Sequence, residues 1–599
     1  MLRDHARIGL LALLLVGLCL TFSRLSNAQL DSIVLKHQEQ WYTLSQTYVY
    51  GVATGDLDND GTPEIVTGGR YHTGNTSYAG EQERYGQIKI WSGNGTAYAL
   101  KHTLNWTLTG DGSPWWRGIN SITIDDVDGD GTEEIVTAGY VWEHIPALGW
   151  WGTYECEVGI WNWNGTTLQL EHQAKWWNLT GLANIKDMLL NDVWTSDIDG
   201  DGAKEIVTCG TYWNMTADQT YAQLNVWNWN GTTITSEHNQ TWQNPTGRVE
   251  PNSVFAKDVD NDGEVEILTG GYRRDGSAYT GQLRIWNWND TAMSLEHNEE
   301  WSTNCTRGVI TVFADNVDQE GLPDILTGGY GNGTSFDLTK VWNWNGTSLT
   351  LIHNEEDPFS QGEYIYAFNY ADADTDGKPE LVSFGHVYNG TTWLASLRMF
   401  EWTGTGMTLD HYVTWGNNSR GLSICIADVD DDYHNEILTA SWMHDGTRWN
   451  SQLSIHYYED VEPPFIGAPT QEPSANVTIG QEVRVSAEIR DNETGVKNAT
   501  LYCTINNGTS WTPIEMHYNS TTGLYETVDP IPAQTFGTVV QYKITAFDNA
   551  DNSHTEDNAG QYYVYTVIPE LAPIALAIVA TAAILITIAL AKTAKKRNH

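Results

Sequence analysis

Cysteine is scarce. Six in 599 residues cannot frame a disulfide scaffold: Cys19 falls in an N-terminal leader, and the other five (Cys156, Cys209, Cys305, Cys425, Cys503) are scattered and odd in number. Nor do they show the paired spacing of a zinc site. Basic side chains are few as well, 31 Lys and Arg against 76 Asp and Glu, for a formal charge of −45. A protein that tracks a phosphate backbone needs a basic face, so nucleic acid is set aside as a partner. HExxH, GxSxG and phosphate-loop motifs are missing. Carboxylate pairs abound, but none stands out as an acid/base dyad. The excess is aromatic, with 28 Trp and 29 Tyr, a composition that argues against disorder.

Long apolar runs are confined to the two ends. Arg3 and Arg7, the stretch Ile8 to Phe22, and the small residues Ser26 and Ala28 read as a signal peptide over 1–28. Leu571 to Ala591 is 21 residues without a charge, long enough for a ~30 Å hydrocarbon core. A transmembrane helix over 569–591 is therefore expected, followed by a basic cytoplasmic tail at 592–599 with Lys592, Lys595, Lys596 and Arg597. The expected location is the cell membrane, single-pass, with the N-terminal ectodomain at the cell surface. Nineteen Asn-x-Ser/Thr sequons between Asn75 and Asn519 agree with a glycoprotein. Several lie in Asn-Gly-Thr turns, as at Asn164, Asn230 and Asn345.

Internal repetition dominates what lies between. One acidic loop recurs seven times, with starts 70, 71, 61, 58, 56 and 56 residues apart. An element like IWNWNG follows each loop, and a β-rich run ending in His closes each unit, at His37, His102, His172, His238, His297, His353 and His411. Trp usually follows that His four residues later. Four short alternating strands per unit predict an all-β, seven-bladed β-propeller over 29–460. The chain begins with a fourth-strand element, Ile33–Trp41, which should complete the last blade. Repeated Trp at one strand position is expected to pack between blades.

The loop pattern D-x-D-x-D-G-x-x-E is hard-cation chemistry. Oxygens at positions 1, 3 and 5, a backbone carbonyl at 7 and a carboxylate at 9 can wrap Ca2+, and Gly at 6 permits the sharp turn. The first loop offers Asp56, Asp58, Asp60, Thr62 and Glu64, and the second Asp126, Asp128, Asp130, Thr132 and Glu134. The third has Asp197, Asp199, Asp201, Ala203 and Glu205, and the fourth Asp258, Asp260, Asp262, Glu264 and Glu266. The sixth has Asp372, Asp374, Asp376, Lys378 and Glu380. Two depart from the pattern: the fifth (Asn316, Asp318, Glu320, Leu322, Asp324), and the seventh (Asp428, Asp430, Asp432, His434, Glu436), where Tyr433 replaces the glycine. Five calcium sites are expected, with the fifth and seventh in doubt by composition.

These loops in their strand context resemble the calcium-binding blades of integrin α-subunit propellers, the FG-GAP or VCBS repeat family. The likeness covers about residues 32–460 and implies ligands at Asp56, Asp58, Asp60 and Glu64 and at the equivalent four in other blades. The literal Phe-Gly and Gly-Ala-Pro signatures are replaced by TGGR, TAGY, TCGT, TGGY, TGGY, SFGH and TASW, so integrin-like partners do not carry over. Dense WNWNGT repeats before a membrane anchor look more like archaeal surface proteins.

Residues 461–568 lack the repeat. Runs such as EVRVSAEI and VVQYKITAF read as a β-sandwich of immunoglobulin or fibronectin type serving as a stalk. Arg117, Arg248, Arg307 and Arg420 each stand eight to ten residues before a loop, hence near the axis on the opposite face. A guanidinium fork suits carboxylate or sulfate. The insertions Thr107–Trp116 and Tyr140–Tyr154 add Trp115, Trp116, Trp150 and Trp151 as an aromatic platform for sugars. The resulting expectation is a calcium-stabilised surface protein that binds glycan or protein ligands rather than an enzyme. The alternatives are an extracellular polysaccharide lyase or hydrolase, as calcium-bearing propellers of similar kind can be, and a structural envelope component.

Overall fold

The computed structural model describes residues 33–76, 82–93, 97–106, 116–144, 152–176, 185–214, 217–288, 292–303, 308–331, 338–355, 362–374, 376–432, 434–491, 494–570 and 584–586. The chain divides into two compact units, Met1–Asp374 with Lys378–Glu459, and Asp460–His599 with Thr375–Gly377.

The third repeat shows how sequence makes one sheet of the first unit. Strands Ile185–Ser196, Glu205–Asn214, Gln219–Trp229 and Ile234–Gln243 pair antiparallel in chain order. The two middle strands are buried almost throughout, whereas Ile234–Gln243 is half-exposed along its length. This matches near-continuous apolar runs inside and a polar last strand. The strand Ile33–Trp41 pairs antiparallel with Trp449–Tyr458, from Ile33 opposite Tyr458 to Trp41 opposite Ser451. It is thus the outer strand of the last repeat's sheet, which continues through Glu436–His444 to Ser419–Ala427.

Aromatic rings fill the gaps between sheets. Trp106 lies against Trp161, Trp176 against Trp227, Trp242 against Trp286 and Trp301 against Trp342, each outer strand meeting the next repeat's third strand at 4.5–5.4 Å between centroids. The recurrent histidines do the same one step along: His102 on Trp163, His172 on Trp229 and His238 on Trp288. Trp161, Trp227, Trp286 and Trp342 donate their indole N–H to Thr137, Thr208, Thr269 and Thr327 at 3.0–3.2 Å. That bond accounts for the threonine in these four second strands, because a buried indole N–H needs an acceptor.

Two backbone irregularities recur. Where the outer strand meets the third strand, the register shifts in every repeat. Leu35 and His37 face consecutive residues and Lys36 is skipped, as are Lys101, Glu171, Glu237, Glu296, Ile352 and Asp410 in turn. A second shift, in the first strands, skips Tyr50, Asn120, Asn191, Asn252, Tyr366 and Leu422. A β-bulge of this kind adds one residue and re-aims its side chain.

The sheet count corrects the expected seven-bladed β-propeller. The repeat strands form six sheets among the described residues: four of four strands, one of eight and one of five. A single parallel bridge between Arg84 and Trp116 fuses the first two repeats, where the Arg84 guanidinium lies 5.5 Å over the Trp116 ring. In the fifth repeat, Tyr330–Gly331 leaves its own sheet and pairs with Glu363–Ala371 of the sixth. The architecture is all-β, built of small antiparallel sheets, and a closed ring of seven independent blades is not found.

The second unit also differs from the two-sheet sandwich expected. Its strands form one eight-stranded sheet, with Val496–Thr504 between Thr512–Asn519 and Val539–Asp548, and a separate pair of two-residue strands, Phe465–Ile466 with Ile489–Arg490. Val483, Val485, Leu501, Val540 and Ile544 make its core. The expected transmembrane helix is corrected too, and with it membrane anchoring and a single-pass location at the cell membrane. Among the described residues no helix is long and apolar enough to cross a membrane; the only helical ones in the segment are Ile584–Ile586. The rest of 571–599 and the expected signal peptide 1–28 lie outside the described residues.

Candidate metal loops and the shared cavity

Each acidic loop is shaped by its own carboxylates. In the third, Asp197 accepts from the N–H groups of Gly200 (2.8 Å) and Gly202 (3.1 Å), and Asp201 accepts from Ala203 N–H (2.8 Å). Glu205 accepts from Ile198 N–H at 3.0 Å through Oε2. The same bonds recur around Asp126 and Glu134, and around Asp56 and Glu64 with Asp60 N–H as the first donor. Gly202 at position 6 sits at φ +94, a conformation that disfavours any side chain. In the fifth loop Asp324 takes over, accepting from Val317 and Asp318 N–H.

The carboxylates crowd. Asp56, Asp58 and Asp60 bring oxygens within 4.8 Å of one another, as do Asp197, Asp199 and Asp201, Asp126, Asp128 and Glu134, and Asp258, Asp260 and Glu266. Burial, reinforced by the neighbouring aspartates, pushes Glu64 and Glu205 up to about 7 and Glu134 and Glu266 up to about 8. Glu205 is fully buried, yet its Oε1 has no hydrogen-bond partner; Asp58 Oδ1 and Asp258 Oδ1 are also buried without one. An oxygen-only donor set with unmet acceptors fits a hard divalent cation.

Two neighbours of these loops were not singled out from sequence. The bulged outer-strand residue turns toward its repeat's acidic loop: Glu237 groups with Asp199 and Glu205 within 4.8 Å. In the seventh loop the bulged residue is Lys36, whose ammonium lies 2.8 Å from Asp430, 3.1 Å from Asp432 and 2.6 Å from Glu436. Burial alone would lower the Lys36 pKa, but bonds to Asp430, Glu436 and Asp432 outweigh it and raise it. Tyr98 Oη donates to Asp430 at 2.8 Å. The available signal was the residue just before each recurrent histidine. A third neighbour is the Asn-Gly-Thr turn of the following repeat. A Cβ on Gly165 would come 2.7 Å from Asp58 Oδ2, and one on Gly231 2.7 Å from Asp128 Oδ2.

The first strands of all seven repeats line one cavity of about 690 Å³. The bulged asparagines link its wall: Asn120, Asn191 and Asn252 donate through Nδ2 to the carbonyls of Leu190 (2.7 Å), Pro251 (2.6 Å) and Val309 (2.6 Å). Each bond joins one repeat's first strand to a segment of the next repeat. Arg420 lines the cavity, its guanidinium 5.5 Å over Trp442, and its Nε has no partner. Trp442 packs edge-on against Tyr48 and Trp449.

The three described arginines of the set do not converge. Arg117 is buried, 2.7 Å from Glu157 and 3.9 Å over Trp106, and is not among the cavity-lining residues. Arg248 is half-exposed and pairs with Glu250 at 3.2 Å, so Glu250 rather than Arg248 lines the cavity. Arg307 lies outside the described residues, as do Trp115, Trp150 and Trp151. Trp116 packs with Trp142 and Tyr154 under Arg84.

No family model matches the chain, and no curated protein does. Likeness to the FG-GAP repeat therefore stays a resemblance. Among solved structures, Sqt1 from Chaetomium thermophilum is similar at 10% identity and a TM-score of 0.37, over 71% of this chain and 98% of that one. A rhamnogalacturonan lyase from Bacillus licheniformis matches at 11% identity and 0.29, over 71% and 92%. A polysaccharide lyase acting on ulvan matches at 11% and 0.30, over 69% and 97%. These are distant relations among β-rich proteins of propeller and sandwich type, and at such scores they carry no argument about activity.

Proposed function

We propose that the repeat unit is a calcium-stapled scaffold that binds an acidic polysaccharide at the cavity edge beside Arg420. Arg420 carries the reading. An arginine on a cavity wall, stacked on an aromatic ring, suits a carboxylate or sulfate borne on a sugar. Tyr48, Trp442 and Trp449 add ring surface next to it. For calcium, the support is the donor set of the loops: carboxylates at four positions, crowded beyond what they tolerate uncharged by a cation, with buried oxygens unmet. When bound, the ion would neutralise the loop carboxylates; Asp197, Asp199, Asp201 and Glu205 would hold it in the third loop.

A second reading, a polysaccharide lyase, draws on Tyr50, which lines the cavity with Arg70 stacked 5.1 Å over its ring. Burial raises the pKa of Tyr50, so its phenol is protonated at neutral pH and can donate a proton but not abstract one. That favours binding over elimination.

Titration calorimetry with uronic-acid and neutral oligosaccharides of equal length separates the possibilities. Only the acidic series should bind, and Arg420→Gln should weaken it about tenfold or more, as expected for a lost charge-assisted bond, with melting unchanged. Equal binding of the neutral series, or an unaffected variant, would overturn the reading. Release of unsaturated, ultraviolet-absorbing products would install the lyase in its place.

A further inference from the structure

We propose that in two repeats the bulged residue of the outer strand decides which cation the acidic loop takes: Glu237 supplies a further ligand to a divalent ion in the third loop, whereas Lys36 is itself the resident cation of the seventh. The inference starts from a coincidence of position. Lys36 and Glu237 are the same residue of the repeat, each one before the recurrent histidine and each skipped by the ladder pairing. The bulge takes both side chains out of the alternation and toward the loop of their own sheet.

What they meet there is alike, but they answer it with opposite charge. In the third loop Glu237 joins Asp199 and the fully buried Glu205, whose Oε1 is unpartnered. Adding a carboxylate to carboxylates is unfavourable unless a cation sits among them, so the position makes sense as a ligand. In the seventh loop the carboxylates at positions 3, 5 and 9 all contact the Lys36 ammonium within 3.1 Å. An ammonium with three carboxylates around it has the coordination a metal would otherwise receive, and it arrives on a covalent tether with no binding equilibrium. The seventh loop also lacks the position-6 glycine, having Tyr433, so the loop that has lost a turn residue of the calcium pattern is the one that has gained its own cation. Glu171 and Glu296 hold the Glu237 position in the second and fourth repeats. Lys101, in the first, is exposed, and its charge opposes only weakly the rise that burial and the neighbouring aspartates impose on Asp58.

The Glu237 half rests on the calcium reading, and the Lys36 half does not, so the experiment separates them. Equilibrium dialysis of the full chain counts bound calcium, and melting in chelator measures stability without it. Lys36→Gln should melt lower than the parent in chelator and should bind one more calcium, because the emptied loop regains its acceptors. Glu237→Lys should bind one calcium fewer and melt higher in chelator. Glu237→Gln should weaken one site about tenfold, since site affinity follows ligand charge. Unchanged stoichiometry and unchanged chelator melting in Lys36→Gln would overturn the lysine assignment; parental stoichiometry in Glu237→Lys would overturn the glutamate one. If Lys36→Gln does not fold, Lys36→Arg decides: a folded arginine variant supports a cation at that point, and an equally damaged one refutes it. A parent that binds no calcium would refute the calcium reading and the Glu237 half together, leaving Lys36 to be judged by chelator melting.

Discussion

The inner and outer strands of the repeats use one backbone device for different ends. On the inner strands the extra bulge residue is Asn in three consecutive repeats and Tyr in two others; on the outer strands it is Lys, Glu or Asp in six of seven. The inner bulge faces the shared cavity, where neutral amides tie one repeat to a carbonyl of the next. The outer bulge meets a crowded acidic loop, where only charge matters. An inserted residue leaves strand pairing largely intact on either side, so a repeat can keep its fold while its chemistry is set at two single positions. The inner position is the one that builds a wall; the outer one determines what the wall's rim can hold.

The harshest break of this comparison is removal of the outer strand that carries Lys36. Deleting residues 29–42 takes away eight residue pairings to Trp449–Tyr458 and the ammonium among Asp430, Asp432 and Glu436. Cooperative unfolding by calorimetry should disappear. A deletion mutant that melts like the parent would show the outer strand to be dispensable.

Metal and pH probe the outer side next. In the cation-free protein Glu64, Glu134, Glu205 and Glu266 are raised from 4.5 to about 7 or 8. The folded state then binds protons that the unfolded chain releases. The stability this contributes is complete below about pH 4 and is lost as pH rises through 7 to 8. Melting in chelator should therefore fall steadily from pH 5 to pH 8. Calcium should flatten the profile and raise it, by about 2.7 kcal/mol for each site at a hundredfold excess over Kd. A chelator profile that coincides with the calcium profile would contradict both statements.

A smaller effect is expected inside. Asn191→Ala leaves the Pro251 carbonyl without its donor and should cost about 1–3 kcal/mol in denaturant unfolding, with the same value in calcium and in chelator. A cost that depends on calcium would mean that inner and outer sides are coupled more tightly than the bonding suggests.

The sequence made the repeat, the strand content and the acidic loops plain, because a four-strand period and D-x-D-x-D-G are written in side-chain order. The packing of Trp227 between sheets was readable for the same reason. Bulges were not: Glu237 and Lys36 look like ordinary alternation until the register of their partners is known, so the ligand-like role of one and the cationic role of the other escaped notice. Sheet fusion at Arg84 and Trp116 depends on one bridge between distant residues, which no local pattern announces. The arginine set failed for a related reason. Equal spacing put Arg117 and Arg420 in equivalent places, but Glu157 and Trp106 hold the first in the core, while Arg420 lines the cavity.

The turn that lies on its neighbour's loop also bears on how such a chain can be copied or shortened. Gly165 abuts Asp58, Gly231 abuts Asp128 and Gly346 abuts Asp260, each a glycine of one repeat against a loop of another. A breakpoint between sheets would part every such couple it crossed, leaving a bare loop on one fragment and a turn with nothing beneath it on the other. The last loop finds its cover at the start of the chain, where a Cβ on Gly93 would come 2.3 Å from the Val429 carbonyl and 2.9 Å from Asp430 Cβ. A duplication or loss of one repeat would therefore have to re-form a contact between the first repeat and the last, which sets the number of copies as a property of the whole unit rather than of any one of its parts.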